Sequence, residues 1–169
     1  MADTIFNRVT ESKLITFDLE KLYQIGDRIT IDLSQWLDKE IILREKEFRL
    51  KLKQHNWKAY RNQFVAIYCS TDAVLPAWAS LLVTTYLQPY AKKVVMGTLV
   101  DLETHLFTEE IKKINISSFK DKVVIIKGCT DKKVPEDSYV QLISRLQPVV
   151  KSLFYGEACS SVPLFKKKK

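Results

Sequence analysis

A stretch of 34 residues recurs 59 positions further along the chain without a gap. The first copy, FVAIYCSTDAVLPAWASLLVTTYLQPYAKKVVMG, occupies 64–97, and the second, VVIIKGCTDKKVPEDSYVQLISRLQPVVKSLFYG, occupies 123–156. Identities include Thr71/Thr130, Asp72/Asp131, Pro76/Pro135, Leu87/Leu146, Gln88/Gln147, Pro89/Pro148, Lys92/Lys151 and Gly97/Gly156. They cluster where a strand–helix–strand unit needs punctuation. Pro76 and Pro135 stand where a helix should begin, because the first turn does not use the missing N–H. The Leu-Gln-Pro triplets stop both helices, since a residue before proline is driven out of the helical region. Gly97 and Gly156 permit a turn after each closing strand.

The apolar pattern agrees. Short apolar runs at 64–68, 94–96, 123–126 and 153–155 alternate with segments of helical period, as in βαβ units and a mainly parallel sheet. In the N-terminal segment Ile15, Phe17 and Leu19, then Ile29, Ile31 and Leu33, alternate with polar residues. This spacing predicts two strands with Gly26 and Asp27 turning between them. Ser34 is placed to cap a long helix carrying Leu37, Ile41, Phe48 and Leu52 on one side. The reading is a single α/β domain over 1–169: N-terminal strands and helix (1–63), a first βαβ repeat (64–97), a second (123–156), and a C-terminal segment with a basic tail (157–169). A central, mostly parallel sheet is expected to carry both repeats, with helices packed on it.

The right-handed crossover makes the strands within each unit parallel. The loops holding Thr71 and Asp72, and Thr130 and Asp131, then lie at strand carboxyl ends, where open α/β sheets bind ligands. These four are the candidate ligand-binding residues; the alternative is that the aspartates fix their own loops by hydrogen bonds. Cys69 ends the first opening strand, Cys129 stands one place further along in the second repeat, and Cys159 follows the closing strand. On one sheet all three thiols would emerge at one edge, so Cys69, Cys129 and Cys159 are candidate ligands for zinc, iron or an iron–sulfur cluster, with Asp72, Asp131 or His105 as a possible fourth. The competing reading treats each cysteine as a small buried hydrophobe. Between these lies a single reactive thiol, Cys129, lowered by Lys127, Lys132, Lys133 and a helix start. His105 and Glu109 lie one turn apart on a helix, a spacing more often solvated than metal-binding, and His55 falls at a helix end.

Composition narrows the classes. A hydrophobic fraction of 46% excludes disorder, and four glycines leave no room for a phosphate loop or dinucleotide fingerprint. The net charge of +7 invites a nucleic-acid reading, but Lys166–Lys169 supply +4 of it and residues 64–122 are neutral. A free, solvated tail on a near-neutral domain is expected, with no nucleic-acid partner. No run approaches the roughly 18 apolar residues of a membrane span, no secretory signal is visible, and three unpaired cysteines suit a reducing compartment. A cytoplasmic, non-membrane protein is expected.

LITFDLEKLY, WLDKEIILREKEFR, YCSTDAVLPAWA, LQPYAKKVVMG, IIKGCTDKKVPEDSYV and YGEACSSVPLFKK together resemble the domain of unknown function 2480 family of Bacteroidetes proteins. The resemblance covers almost the whole chain. It implies a compact cytoplasmic α/β domain, no established activity, and an association with iron–sulfur assembly proteins as partners. Three functional readings result: a cysteine-lined metal or iron–sulfur accessory protein, a small-molecule-binding enzyme with a reactive thiol at the strand carboxyl ends, and a non-catalytic interaction scaffold.

Overall fold

The computed structural model describes residues 14–128, 131–157 and 159–168. They form two compact units: one of 24–106, and one made of the N-terminal segment to Tyr23 together with the chain from Phe107 onward. The α/β class and the parallel βαβ repeats are as the sequence predicts, but the strands form two sheets in place of one central sheet.

In the unit of 24–106, strands β2 (Arg28–Asp32), β3 (Phe64–Tyr68) and β4 (Lys93–Met96) are parallel in the order β2-β3-β4. The central β3 is apolar at every position because both its faces are covered. Val65 and Ile67 pack with Phe48 and Leu52 of α1 (Glu45–Gln54) and with Ala79, Val83 and Leu87 of α2 (Trp78–Leu87). On the opposite side Phe64 and Ala66 pack with Leu102 and Leu106 of α3 (Leu99–Lys113). Burying a side chain such as Phe48 or Leu52 contributes roughly 1.5–3 kcal/mol. Arg28 on β2 pairs with Glu103 of α3 at 2.5 Å and lies 4.8 Å over the Phe64 ring. His55 packs against Trp36 and Trp57 and hydrogen-bonds Tyr60 at 3.0 Å, and burial pushes its imidazole pKa below the usual 6.5.

In the other unit, β1 (Leu14–Phe17), β5 (Val123–Ile126) and β6 (Ser152–Glu157) are parallel, and β7 (Ser160–Lys166) returns antiparallel to β6. Val124, Ile126 and Leu153 pack with Leu142 and Leu146 of α4 (Glu136–Leu146) and with Phe107 and Ile111 of α3. Thus β1 and β2, predicted as neighbours across a Gly26–Asp27 turn, belong to different sheets, each beside a partner distant in sequence.

The repeat is carried into the structure and begins earlier than the aligned residues. A 3-10 turn precedes each opening strand, at Trp57–Tyr60 and Ile116–Phe119. Asn62 and Asp121 both adopt positive φ, 62° and 56°. The Asn62 N–H donates to Tyr90 at 3.0 Å, and that of Asp121 to Val149 at 2.9 Å. The helices end at Leu87 and Leu146, immediately before the Gln-Pro pairs.

Two further expectations need correction. The helix predicted from Ser34 onward is shorter: 33–36 form a 3-10 turn capped by Asp32, and α1 starts only at Glu45. Leu37 and Ile41 match a helical period by coincidence, and Ile41 is exposed. The basic tail is partly held in the sheet, since Lys166 ends β7 and the Lys167 N–H donates to the Lys151 carbonyl at 3.0 Å. Among the described residues no helix is long and apolar enough to cross a membrane.

Gly156, at φ 124°, brings β6 against the chain returning into β7; a Cβ there would stand 2.5 Å from the Ser160 carbonyl oxygen. Both the backbone region and the contact exclude a side chain. Gly156→Ala is therefore expected to lower stability in urea unfolding by about 2 kcal/mol or more; an unchanged midpoint would contradict this turn.

Candidate functional site

In the unit of 24–106, the strand carboxyl ends are shaped by Asp32. Its Oδ1 accepts from the Ser34 N–H at 2.9 Å and from the Ser70 N–H at 3.1 Å, joining the ends of β2 and β3. Partial burial pushes this carboxyl up, but the hydrogen bonds from Ser70 and Ser34 outweigh it and leave the pKa below the ordinary 3.8. Ser34 and Ser70 hydroxyls meet at 3.2 Å. These contacts fix the start of the loop after β3 against the 33–36 turn.

Facing that loop is the segment before α1. Asp38 and Ile42 form an isolated antiparallel bridge, Arg44 pairs with Asp38 at 2.7 Å, and the two residues at the tip, Lys39 and Glu40, both adopt positive φ, 49° and 63°. Consecutive left-handed non-glycine residues are costly, and such strain is concentrated at functional sites. The Thr71 hydroxyl donates to the Glu40 carbonyl at 2.7 Å and ties the two loops together. Between them lies a cleft of about 360 Å³ lined by Lys39, Glu40, Ile41, Ser70, Thr71 and Asp72. An apolar groove of about 570 Å³ shares Ile41 and Asp72 with it and continues past Ile42, Val74, Pro76 and Trp78. Val74 is 95% exposed there.

Thr71 and Asp72, predicted as ligand-binding residues, thus line a cleft at the expected end of the sheet. Thr130 and Cys129 lie outside the described residues, and Asp131 is exposed. The adjacency that would bring the two Thr-Asp loops together is absent, because β3 pairs with β2 and β4 whereas β5 pairs with β1 and β6. For the same reason Cys69 and Cys159 do not share one sheet edge. Cys69 is half-buried, packs against the core and lies 3.4 Å from the Thr71 hydroxyl, and Cys159 is exposed in the other unit. Among the described residues no group of three His, Cys, Asp or Glu side chains is placed to hold a metal ion.

The corresponding strand ends of the other unit carry different chemistry. Asp18 occupies the place of Asp32, ending β1 and accepting from the Glu20 N–H at 3.0 Å. Its second oxygen meets the Lys127 ammonium at 3.4 Å. Lys127 is raised above its ordinary pKa by Asp18 first, and also by the charges of Glu20 and Glu157. Lys132 donates its N–H to Glu20 and lies 4.4 Å over the Tyr23 ring, while the Tyr155 ring rests against Gly128.

Sequence reasoning missed Asp32, Ser70, Lys39 and Glu40. Asp32 and its counterpart Asp18 had a visible signal, because FDLE and IDLS both end an alternating strand with Asp-Leu. The left-handed pair had none.

The fold and its strand-end cleft define an α/β protein of duplicated βαβ design. The chain belongs to the family described as protein of unknown function (DUF2480), whose model matches residues 3–167. No match was found among the curated proteins or the solved structures.

Removing the Asp32 carboxylate strips the cap from the 33–36 turn and an acceptor from Ser70. Asp32→Ala should cost about 1–2 kcal/mol in urea unfolding. Because the folded pKa is depressed, the stability due to this group is present above pH 4 and lost as pH falls through the folded pKa. Asp32→Asn should therefore weaken acid destabilisation below about pH 4; an unaltered acid profile would contradict the assignment.

Proposed function

We propose that the protein is a small-molecule-binding module whose site is the cleft between the 38–42 segment and the loop after β3. The observation that carries this reading is the meeting of Thr71 and Asp72 with the left-handed Lys39–Glu40 pair around a 360 Å³ space at the carboxyl ends of parallel strands. The lining offers an ammonium, carboxylates and hydroxyls within a few ångströms of an apolar groove ending at Trp78. That chemistry suits a compact amphiphile: a polar head in the cleft and an aliphatic or aromatic body along Val74, Pro76 and Trp78. The comparison between the two units supports the same choice. In the other unit the position of Asp32 is taken by an aspartate already paired with a lysine.

The test is a two-dimensional amide NMR screen of the labelled full-length protein against mixed metabolite-sized amphiphiles. Binding should shift the amides of 39–42 and 70–72 together, and Asp72→Ala should weaken it at least tenfold. Hits that shift only other regions, or that ignore Asp72→Ala, overturn the assignment.

A second reading is a metal ion or iron–sulfur species bound through Cys129 and Cys159, without Cys69 of the other unit, and exchanged with iron–sulfur assembly proteins. One placement favours it: exposed Cys159 lies between β6 and β7, and Cys129 follows β5, the parallel neighbour of β6. Anaerobic purification with metal and sulfide analysis tests it. Stoichiometric metal that is lost on Cys159→Ser supports it, whereas metal-free protein with unchanged melting in the serine variants rules it out.

A further inference from the structure

The unit containing β5 and β6 has a basic end, opposite its strand carboxyl ends. Lys122 precedes β5, Lys151 precedes β6, and Lys167 follows β7. Their backbones run side by side: the Lys151 N–H donates to Lys122 at 2.8 Å, and the Lys167 N–H to Lys151 at 3.0 Å. Adjacent strands are about 4.8 Å apart, so three ammonium stems start from a row only about 10 Å long. Lys120, Lys166 and Lys168 are their near neighbours in the chain, all exposed. Asp121 lies 3.7 Å from Lys167. Like charges set side by side on neighbouring strands repel one another. The array is therefore a site that gains from a polyanion. The sequence conceals the row because Lys122, Lys151 and Lys167 come from three separate stretches that only strand pairing brings side by side.

Beside the row is a recess of about 310 Å³ lined by Ser144, Gln147, Pro148, Phe165 and Lys167. It combines a ring edge and a proline face with an amide and a hydroxyl, next to an ammonium. We propose that this end binds single-stranded nucleic acid, with phosphates along Lys122, Lys151 and Lys167 and one base entering the recess. A flat anionic bilayer would meet the lysines but could not use the recess, whereas an unpaired strand can turn a base into it. The lysines act as point charges without the bidentate fork of arginine, and nearby Arg145 is occupied by the Ile111 and Ile114 carbonyls. Binding should therefore be salt-dependent and tolerant of sequence.

The experiment is fluorescence anisotropy of the full chain with fluorescein-labelled 20-nucleotide poly-U and poly-dT, from 25 to 200 mM salt. Neutralising three or four phosphates predicts a slope of log K against log salt of about −2 to −3. Lys151→Glu/Lys167→Glu should weaken binding at least tenfold, and Gln147→Ala about threefold. Lys46→Glu/Lys53→Glu, on the exposed side of α1, should leave it unchanged. Melting curves identify a variant that fails to fold, in which case Lys120→Glu/Lys168→Glu replaces it. Absence of binding at 25 mM salt, equal binding by the charge-reversed variant, or capture by phosphatidylserine vesicles without oligonucleotide binding would overturn the proposal.

Discussion

The parallel pairing of β1 with β5 is the contact on which the remaining architecture depends. Leu14–Phe17 lie in register with Val123–Ile126, and the Lys127 N–H closes the ladder on the Phe17 carbonyl at 2.9 Å. A parallel pair cannot be joined by a tight turn, so a crossover must intervene. Here the interval contains an entire second unit, 24–106, with its own sheet and core. Such an insertion is thermodynamically tolerable, because doubling a loop adds only about 0.6 kcal/mol of closure cost. What offsets it is apolar burial in the unit that is closed: Leu19, just after β1, is fully buried with Val124, Ile126 and Leu153.

The duplication explains why one plan serves two chemistries. Each unit uses a 3-10 turn before its opening strand, a left-handed Asn62 or Asp121, and a helix ended by Leu-Gln-Pro. These positions specify backbone geometry and have changed little between copies. At the strand carboxyl ends the Thr-Asp pair recurs, at 71–72 and 130–131, but the residues around it differ. One copy has Ser70 and a strained Lys39–Glu40 tip around an open cleft, while the other has Lys127 paired with Asp18. Backbone scaffolding and ligand chemistry thus reside on separable residues, as fold and function generally do.

Much of this was legible in the residues themselves. Prolines at 76, 89, 135 and 148 bracket both helices by local sterics, and continuous apolar runs mark the strands buried between layers. The placement of β1 and β2 in separate sheets was not legible, because strand partners are chosen by long-range burial that local patterns do not encode. The helix expected from Ser34 failed for a specific reason. The Asp32 carboxylate caps only the single turn of 33–36, and the chain then leaves helical backbone at Lys39 and Glu40, both at positive φ, before α1 starts at Glu45. Within the candidate site, Thr71 and Asp72 were found because the repeat put them at a strand end. Their opposing wall comes from a segment some thirty residues earlier that no period or motif connects to them. The lysine row was hidden in the same way, as a property of strand adjacency.

The β1–β5 pairing is tested most directly by hydrogen–deuterium exchange of the full chain at single-amide resolution. As an edge strand, β1 should show alternate amides of Leu14–Phe17 protected, at levels that follow those of Val123–Ile126 as denaturant is added. Uniformly fast exchange across Leu14–Phe17, beside a protected β5, would contradict the closure of this unit by its N-terminal strand.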